Sequence, residues 1–203
     1  MRNMGDSCAS DRRCFLRGWQ RQLIGSAACW ALLALPVAAQ SLDNDWSVYG
    51  QAGLSTHNAR NSNDATLGLT APLLEQRDWL NGKLSGHGDV AIATWRAPAL
   101  PFGRSRYTLV SVIPTLRYRA DGGHSSWFAD AGLGLACLDQ IYATPDRTFS
   151  TRLNFSEVLG LGRNFGAQGR YELALRLQHF SNAGIKQPNP GETFVQLRFG
   201  LRF

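Results

Sequence analysis

No stretch of this 203-residue chain stays apolar for the roughly 20 residues that a membrane-spanning helix requires. Cysteine is scarce as well. Cys8, Cys14 and Cys29 fall within the first 39 residues and only Cys137 lies beyond them. The rest of the chain can therefore hold neither an internal disulfide nor a thiolate metal cluster, and Cys137 reads as a small apolar residue. His57, His87, His124 and His179 are scattered, without the spacing of metal ligands. The formal charge of +6 also shrinks on inspection. Beyond residue 39, sixteen Lys and Arg face thirteen Asp and Glu, so no nucleic-acid partner is expected.

The first 39 residues read as a secretory signal peptide, removed in the mature protein. Arg12, Arg13, Arg17 and Arg21 form its basic region, Leu23–Leu35 its apolar region, and Val37-Ala38-Ala39 its cleavage site. The apolar run is short for a membrane anchor. Asp11-Arg12-Arg13 through Arg17 also resembles a twin-arginine signal. That route exports folded proteins, which suits a greasy-walled barrel poorly.

What is present is alternation. Residues 40–203 break into about eight segments of period two, with the length and spacing of an outer-membrane barrel. They are Trp46–Leu54, Ala65–Leu73, Lys83–Trp95, Tyr107–Arg119, Trp127–Cys137, Leu153–Phe165, Tyr171–Ser181 and Thr193–Phe203. The last sets Val195, Leu197, Phe199, Leu201 and Phe203 on one parity, against Gln196, Arg198, Gly200 and Arg202 on the other. Glu172, Arg176, Gln178, Gln196, Arg198 and Arg202, with Asp89 and Asp130, suit a hydrogen-bonded lumen. Glu157 falls on the lipid parity of its segment, so it needs a bulge, a rim position or a partner. Asp121-Gly122-Gly123 and Gly166–Gly169 are tight turns. Residues 96–106, 138–150 and 182–192 are longer, as outside loops should be, while 57–63 is only moderately long for one and 74–82 is long for an inner turn.

A soluble β-sandwich would alternate too. The terminal Phe203 and the aromatics near strand ends (Trp46, Trp79, Trp95, Tyr107, Tyr118, Trp127, Tyr171) argue for the membrane. The expected fold is thus all-β, an eight-stranded antiparallel transmembrane barrel over residues 40–203, placed in the outer membrane.

The chemistry concentrates in residues 179–192. Continuing the parity of Tyr171, Leu173, Leu175 and Leu177 puts His179 and Ser181 on the lipid face near the outer rim. Residues two apart on a strand share a face, so the imidazole can serve the hydroxyl as general base. Glu192 is the acidic residue of this region available to complete a triad. Asn182, Asn189 and the amide of Gly184 are candidate oxyanion donors. A His-x-Ser pair is common by chance, and rim decoration is the plain alternative. Arg104 and Arg106 read as rim residues meeting anionic headgroups.

The run from His179 to Glu192, HFSNAGIKQPNPGE, resembles the C-terminal signature of the lipid A deacylases that remove a 3-O-linked acyl chain from lipopolysaccharide. The resemblance implies that His179 is the base and Ser181 the nucleophile. Asn189, with Asn182 and Gly184, would build the oxyanion site, and Glu192 would be the triad acid. The family's spacing at the acid varies by a residue, but the neighbour Thr193 cannot replace a carboxylate. The family needs no metal or organic cofactor. The expectation is an esterase, monomeric or homodimeric, acting on lipid A that arrives laterally from the outer leaflet. A structural or interaction barrel without activity and a phospholipid esterase are the alternatives.

Overall fold

The computed structural model describes residues 43–56, 62–99 and 102–203; the expected signal segment, residues 1–39, lies outside them, as does His57. Eight antiparallel strands follow one another round a closed ring: β1 (Ser47–Ser55), β2 (Asn63–Trp79), β3 (Gly82–Pro98), β4 (Arg104–Ala120), β5 (Trp127–Leu138), β6 (Leu153–Phe165), β7 (Tyr171–Ser181) and β8 (Glu192–Arg202). β1 pairs with β8 from Ser47–Arg202 to Ser55–Phe194. That closure leaves no sheet edge with unpaired N–H and C=O groups, a requirement for strands that face lipid.

The alternation in the sequence is realised as an inside and an outside. In β7 every second residue from Glu172 to Phe180 is buried while Leu175 and Leu177 are exposed. β8 repeats this with Gln196 and Arg198 inside, Leu197 and Phe199 outside. Leu67, at 69 % exposure, and Leu159, at 62 %, show how apolar the outer wall is; in water such a belt would be a liability, whereas in a bilayer it is the solvated surface.

Two strands depart from the expected bounds. Residues 74–82 are not a long inner turn: β2 continues to Trp79, β3 begins at Gly82, and Leu80-Asn81 joins them. Register shifts between Pro72 and Leu74 and between Leu74 and Arg77 broke the period that would have revealed the strand. On the other side, β3 runs to Pro98 and β4 starts at Arg104, which shortens the expected loop at 96–106. The short-turn end is thus closed by residues 80–81, by a 3-10 turn at Asp121–Gly123 and by another at Ala167–Gly169.

The lumen has two layers. Towards the short turns it is ionic, as expected. Arg117 forks onto Asp130 at 2.8 Å through Nε and Nη2 and reaches Glu172 at 2.7 Å. Arg176 and Arg198 share Asp89 at 2.9 and 2.8 Å. Below them Asp43, just before β1, accepts from Arg119 Nε at 2.8 Å. Burial opposes the Asp43 charge, but Arg119 and Arg117 outweigh it and hold the carboxyl below its ordinary value.

Towards the long loops the lumen is largely aromatic, with buried polar partners such as Asp64, which accepts from Trp95 Nε1 at 3.1 Å. Trp95, Tyr107, Tyr142, Phe149, Phe180 and Phe194 form one buried cluster with Leu109 and Leu138. Trp95 meets Phe180 at 4.7 Å and Tyr142 at 5.4 Å between ring centres, edge to face in both. Trp95 and Tyr107 therefore belong to the interior, not to a membrane-interface girdle. The exposed aromatic ring that remains, Trp46, Trp79, Trp127 and Tyr171, lies at the short-turn end. Tyr142 and Phe149 come from the loop between β5 and β6, folded into the barrel mouth.

Candidate active site

β7 carries His179 and Ser181 to the loop end of the barrel on its outward face, as parity required. Both are half-buried. The strand register then decides who surrounds them. His179 is paired with Glu157 of β6 on one side and Thr193 of β8 on the other, and Glu157 is paired in turn with Leu133 of β5. Directly opposed residues share a face, so Glu157, His179 and Thr193 form one outward row. The next row towards the short turns is wholly apolar: Ala131, Leu159, Leu177 and Val195. A polar island thus sits on a hydrocarbon wall.

His179 Nδ1 lies 2.7 Å from Thr193 Oγ1. The far edge of the ring faces the loop, where a Cβ built on Gly191 would stand 2.7 Å from Cε1 and 3.0 Å from Nε2. Register places Gly191 one step beyond the last β7–β8 pair, Phe180–Glu192, opposite Ser181. The imidazole is therefore clamped with Nδ1 against Thr193 and Nε2 towards the Ser181 end of β7. For Nε2 to accept a proton, Nδ1 must carry the hydrogen and donate it to Thr193 Oγ1.

Gly191 is the residue this clamp requires. Its φ of +63° disfavours a side chain by about 1–2 kcal/mol, and its missing Cβ is the space that the ring fills. Arg147 Nη1 fixes the same turn, donating to the carbonyls of Pro190 at 2.8 Å and Gly191 at 2.7 Å. Gly191→Ala should push the imidazole aside; where His179 serves a reaction, a displacement of about 1 Å is expected to lower its turnover by about 10²-fold. Unfolding in urea should register a loss of about 1–2 kcal/mol, what the positive φ costs an alanine, with the barrel still folded. Turnover within threefold of the parent would show that Gly191 does not set the ring position.

The structure does not bring Glu192 to His179. Glu192 opposes Phe180 and shares its inward parity; it is fully buried and accepts a hydrogen bond from the Tyr142 hydroxyl at 2.8 Å. Ser62 Oγ lies 2.7 Å from the same hydroxyl. Tyr142 stands outside the strands, and its own burial, reinforced by the Glu192 charge, pushes its pKa far up, so the hydroxyl keeps its proton and donates. Glu192 ties the start of β8 to the loop plug, on the lumen side of the wall.

The candidate oxyanion donors separate likewise. Asn182 is buried, and its Nδ2 donates to Ser150 Oγ at 2.9 Å and the Lys186 carbonyl at 2.8 Å. Its Oδ1 accepts from the Gly184 amide at 3.0 Å. Both groups are occupied in building the loop. Asn189 turns Oδ1 to the Asn182 amide at 3.0 Å, which points its Nδ2 the other way, without a partner among the described residues. Among them, no group of His, Cys, Asp and Glu is arranged to hold a metal.

An apolar-walled antiparallel barrel of eight strands, with a His–Ser pair facing outward at one rim, is an outer-membrane-type β-barrel carrying hydrolase-like groups on its outer wall. Residues 63–202 match the family model described as lipid A 3-O-deacylase (PagL), and the chain belongs to that family. The lipid A deacylase PagL of Pseudomonas aeruginosa is 28% identical over 178 residues, spanning 84% of this chain and 92% of that protein. The lipid A deacylase PagL of Bordetella bronchiseptica is 33% identical over 93 residues, 46% of this chain and 49% of that protein. The crystal structure of the outer membrane enzyme PagL is similar with a TM-score of 0.65 at 26% identity, covering 77% of this chain and 99% of that one.

Proposed function

We propose that the mature chain is an outer-membrane esterase that hydrolyses the 3-O-linked acyl chain of lipid A, after removal of residues 1–39 as a signal peptide. The observation that carries this reading is the position of His179 and Ser181 on the outward face at the loop rim, in a chain of the lipid A 3-O-deacylase family. A water-soluble ester would call for a site in the lumen, and here the lumen behind the pair is filled by Trp95, Phe180 and Phe194. A lipid reaches an outward site by diffusing along the membrane. With the start of β1 and the end of β8 both at the short-turn side, that site faces the outer leaflet.

Ser181 Oγ attacks the ester carbonyl while its proton passes to His179 Nε2. The tetrahedral oxyanion is met by Asn189 Nδ2, a donor worth about 3–4 kcal/mol when well placed. His179 then protonates the leaving sugar alkoxide, and a water activated by the same imidazole clears the acyl-enzyme. Asn182 and Gly184 serve this step by holding the loop that presents Asn189. Every proton is handled by the chain's own groups.

Incubation of the purified barrel with lipid A, followed by mass spectrometry, tests the reading. Loss of one 3-O-linked acyl chain is expected. Acyl release from phospholipid vesicles but not from lipid A would instead mark a phospholipid esterase, and release from neither a structural barrel.

A further inference from the structure

The imidazole of His179 is oriented by a neutral hydroxyl, and the acid expected to steady its charge lies behind the wall against Tyr142. A triad base gains a proton as the nucleophile attacks, and a carboxylate normally compensates that positive charge. Thr193 can accept the Nδ1 hydrogen but supplies no charge. The wall offers another carboxylate. Glu157 stands across from His179 on β6, exposed and on the same outward face. β6 pairs with β5 and β7 without a register shift, so no bulge turns Glu157 aside. It forms no ion pair among the described residues, while its flanking outward neighbours, Phe155 and Leu159, and the Leu133 opposite are apolar. An anionic side chain on a lipid-facing wall is rare unless it has a task.

We propose that Glu157 is the positioning carboxylate for His179 and that it divides the acid's work with Thr193. This rests on the reading of Ser181 as nucleophile and His179 as base. Thr193 fixes the tautomer at Nδ1; Glu157 compensates the imidazolium from the β6 side once it forms. Side chains directly opposed on neighbouring strands have Cβ atoms about 4.5–5.5 Å apart, so a Glu rotamer change brings the carboxylate to the ring. Other charges near the ring do not replace it. Arg147, held on the carbonyl of Gly191, is a cation and opposes a protonated imidazole, which sharpens the need for an anion. Glu192 is separated from the ring by the barrel wall.

The test compares Glu157→Gln, Glu157→Asp, Glu192→Gln and Ser181→Ala as refolded barrels on lipid A. Glu157→Gln should lower kcat by about 10–100-fold with KM unchanged, and Glu157→Asp should recover much of it. Adding Thr193→Glu to Glu157→Gln should also restore turnover, because it returns a carboxylate to Nδ1. A structural or substrate-binding role for Glu157 would move KM or stability and would not be rescued by a charge on β8. The proposal is overturned if Glu157→Gln turns over like the parent, or if Glu192→Gln alone shows the kcat loss. Those outcomes leave the Ser181 reading intact. That reading fails separately, if Ser181→Ala still releases acyl chains.

Discussion

Ser181→Ala will fold, migrate as the same compact barrel on unboiled gels, and release no acyl chain from lipid A above the uncatalysed background. The expected loss is at least about 10³-fold in turnover, since removing the nucleophile of a serine triad leaves only what binding and the oxyanion site contribute. The fold should not notice. Ser181 is the last residue of β7, half-buried on the outward face, and the aromatic core that closes this end of the barrel is built from the opposite parity, Phe180 above all. His179→Ala should lose turnover to a similar extent. The double variant should be no worse than either single, because the two groups act in one step. Mass spectrometry of lipid A after prolonged incubation, with folding checked by gel mobility, reads all three. Acyl release by Ser181→Ala at more than a tenth of the parent rate would remove Ser181 from the mechanism.

The barrel, its strand order and the outward placement of His179 and Ser181 were legible because a wall with an apolar outside and a packed inside imposes period two on the regular strands that build it. Legibility failed where that period is broken or crossed by a loop. In β2 the bulges around Leu74 hide a strand that runs to Trp79. At the mouth, nothing in the pattern of residues 138–150 says that Tyr142 and Phe149 fold into the lumen, which needs the loop's three-dimensional path. Trp95 and Tyr107 looked like interface aromatics by their position near strand ends. Their parity, shared with Asp89 and with Ser111 respectively, already pointed inward.

Glu192 carries the sharper lesson. It has the parity of Gln196 and Arg198, the lumen side, whereas Thr193 has that of Val195 and Leu197. A one-residue difference in a strand moves a side chain through the wall. Residue type and the family resemblance suggested Glu192; the same alternation that identified the barrel, carried two residues back from Val195, selects Thr193 as the neighbour of His179. Glu157 was visible as an anomaly, a charge on the lipid parity. Only the register, which sequence alone does not supply, turns the anomaly into a neighbour of the imidazole.

The second large effect is on stability, at Asp89. Asp89→Ala should destabilise the barrel by about 3–5 kcal/mol, the range for removing one partner of a buried ion pair. Asp89 is 1% exposed and accepts from Arg176 Nη1 and Arg198 Nη1 through one oxygen and from the Tyr49 hydroxyl through the other. The truncation strands two guanidiniums. Arg198 keeps Glu172 at 3.5 Å and the Tyr49 ring beneath it at 3.5 Å; Arg176 has Asp89 as its ion-pair partner in the lumen and loses it. Arg176→Met added to Asp89→Ala should therefore recover part of the loss, since it removes the buried cation left without its ion-pair partner rather than restoring a contact. Asp89→Asn, which keeps an acceptor but no charge, should fall between. Urea unfolding in lipid vesicles, followed by tryptophan fluorescence, measures all three, and a shift below about 1 kcal/mol for Asp89→Ala would mean that water or repacking satisfies the arginines. The ionic layer lies towards the short turns, whereas the His179 row lies towards the loops, on the outer face of the wall that backs the Trp95 cluster. Folded Asp89→Ala protein should accordingly turn over lipid A at close to the parent rate, which separates what holds this barrel shut from what its outer wall does.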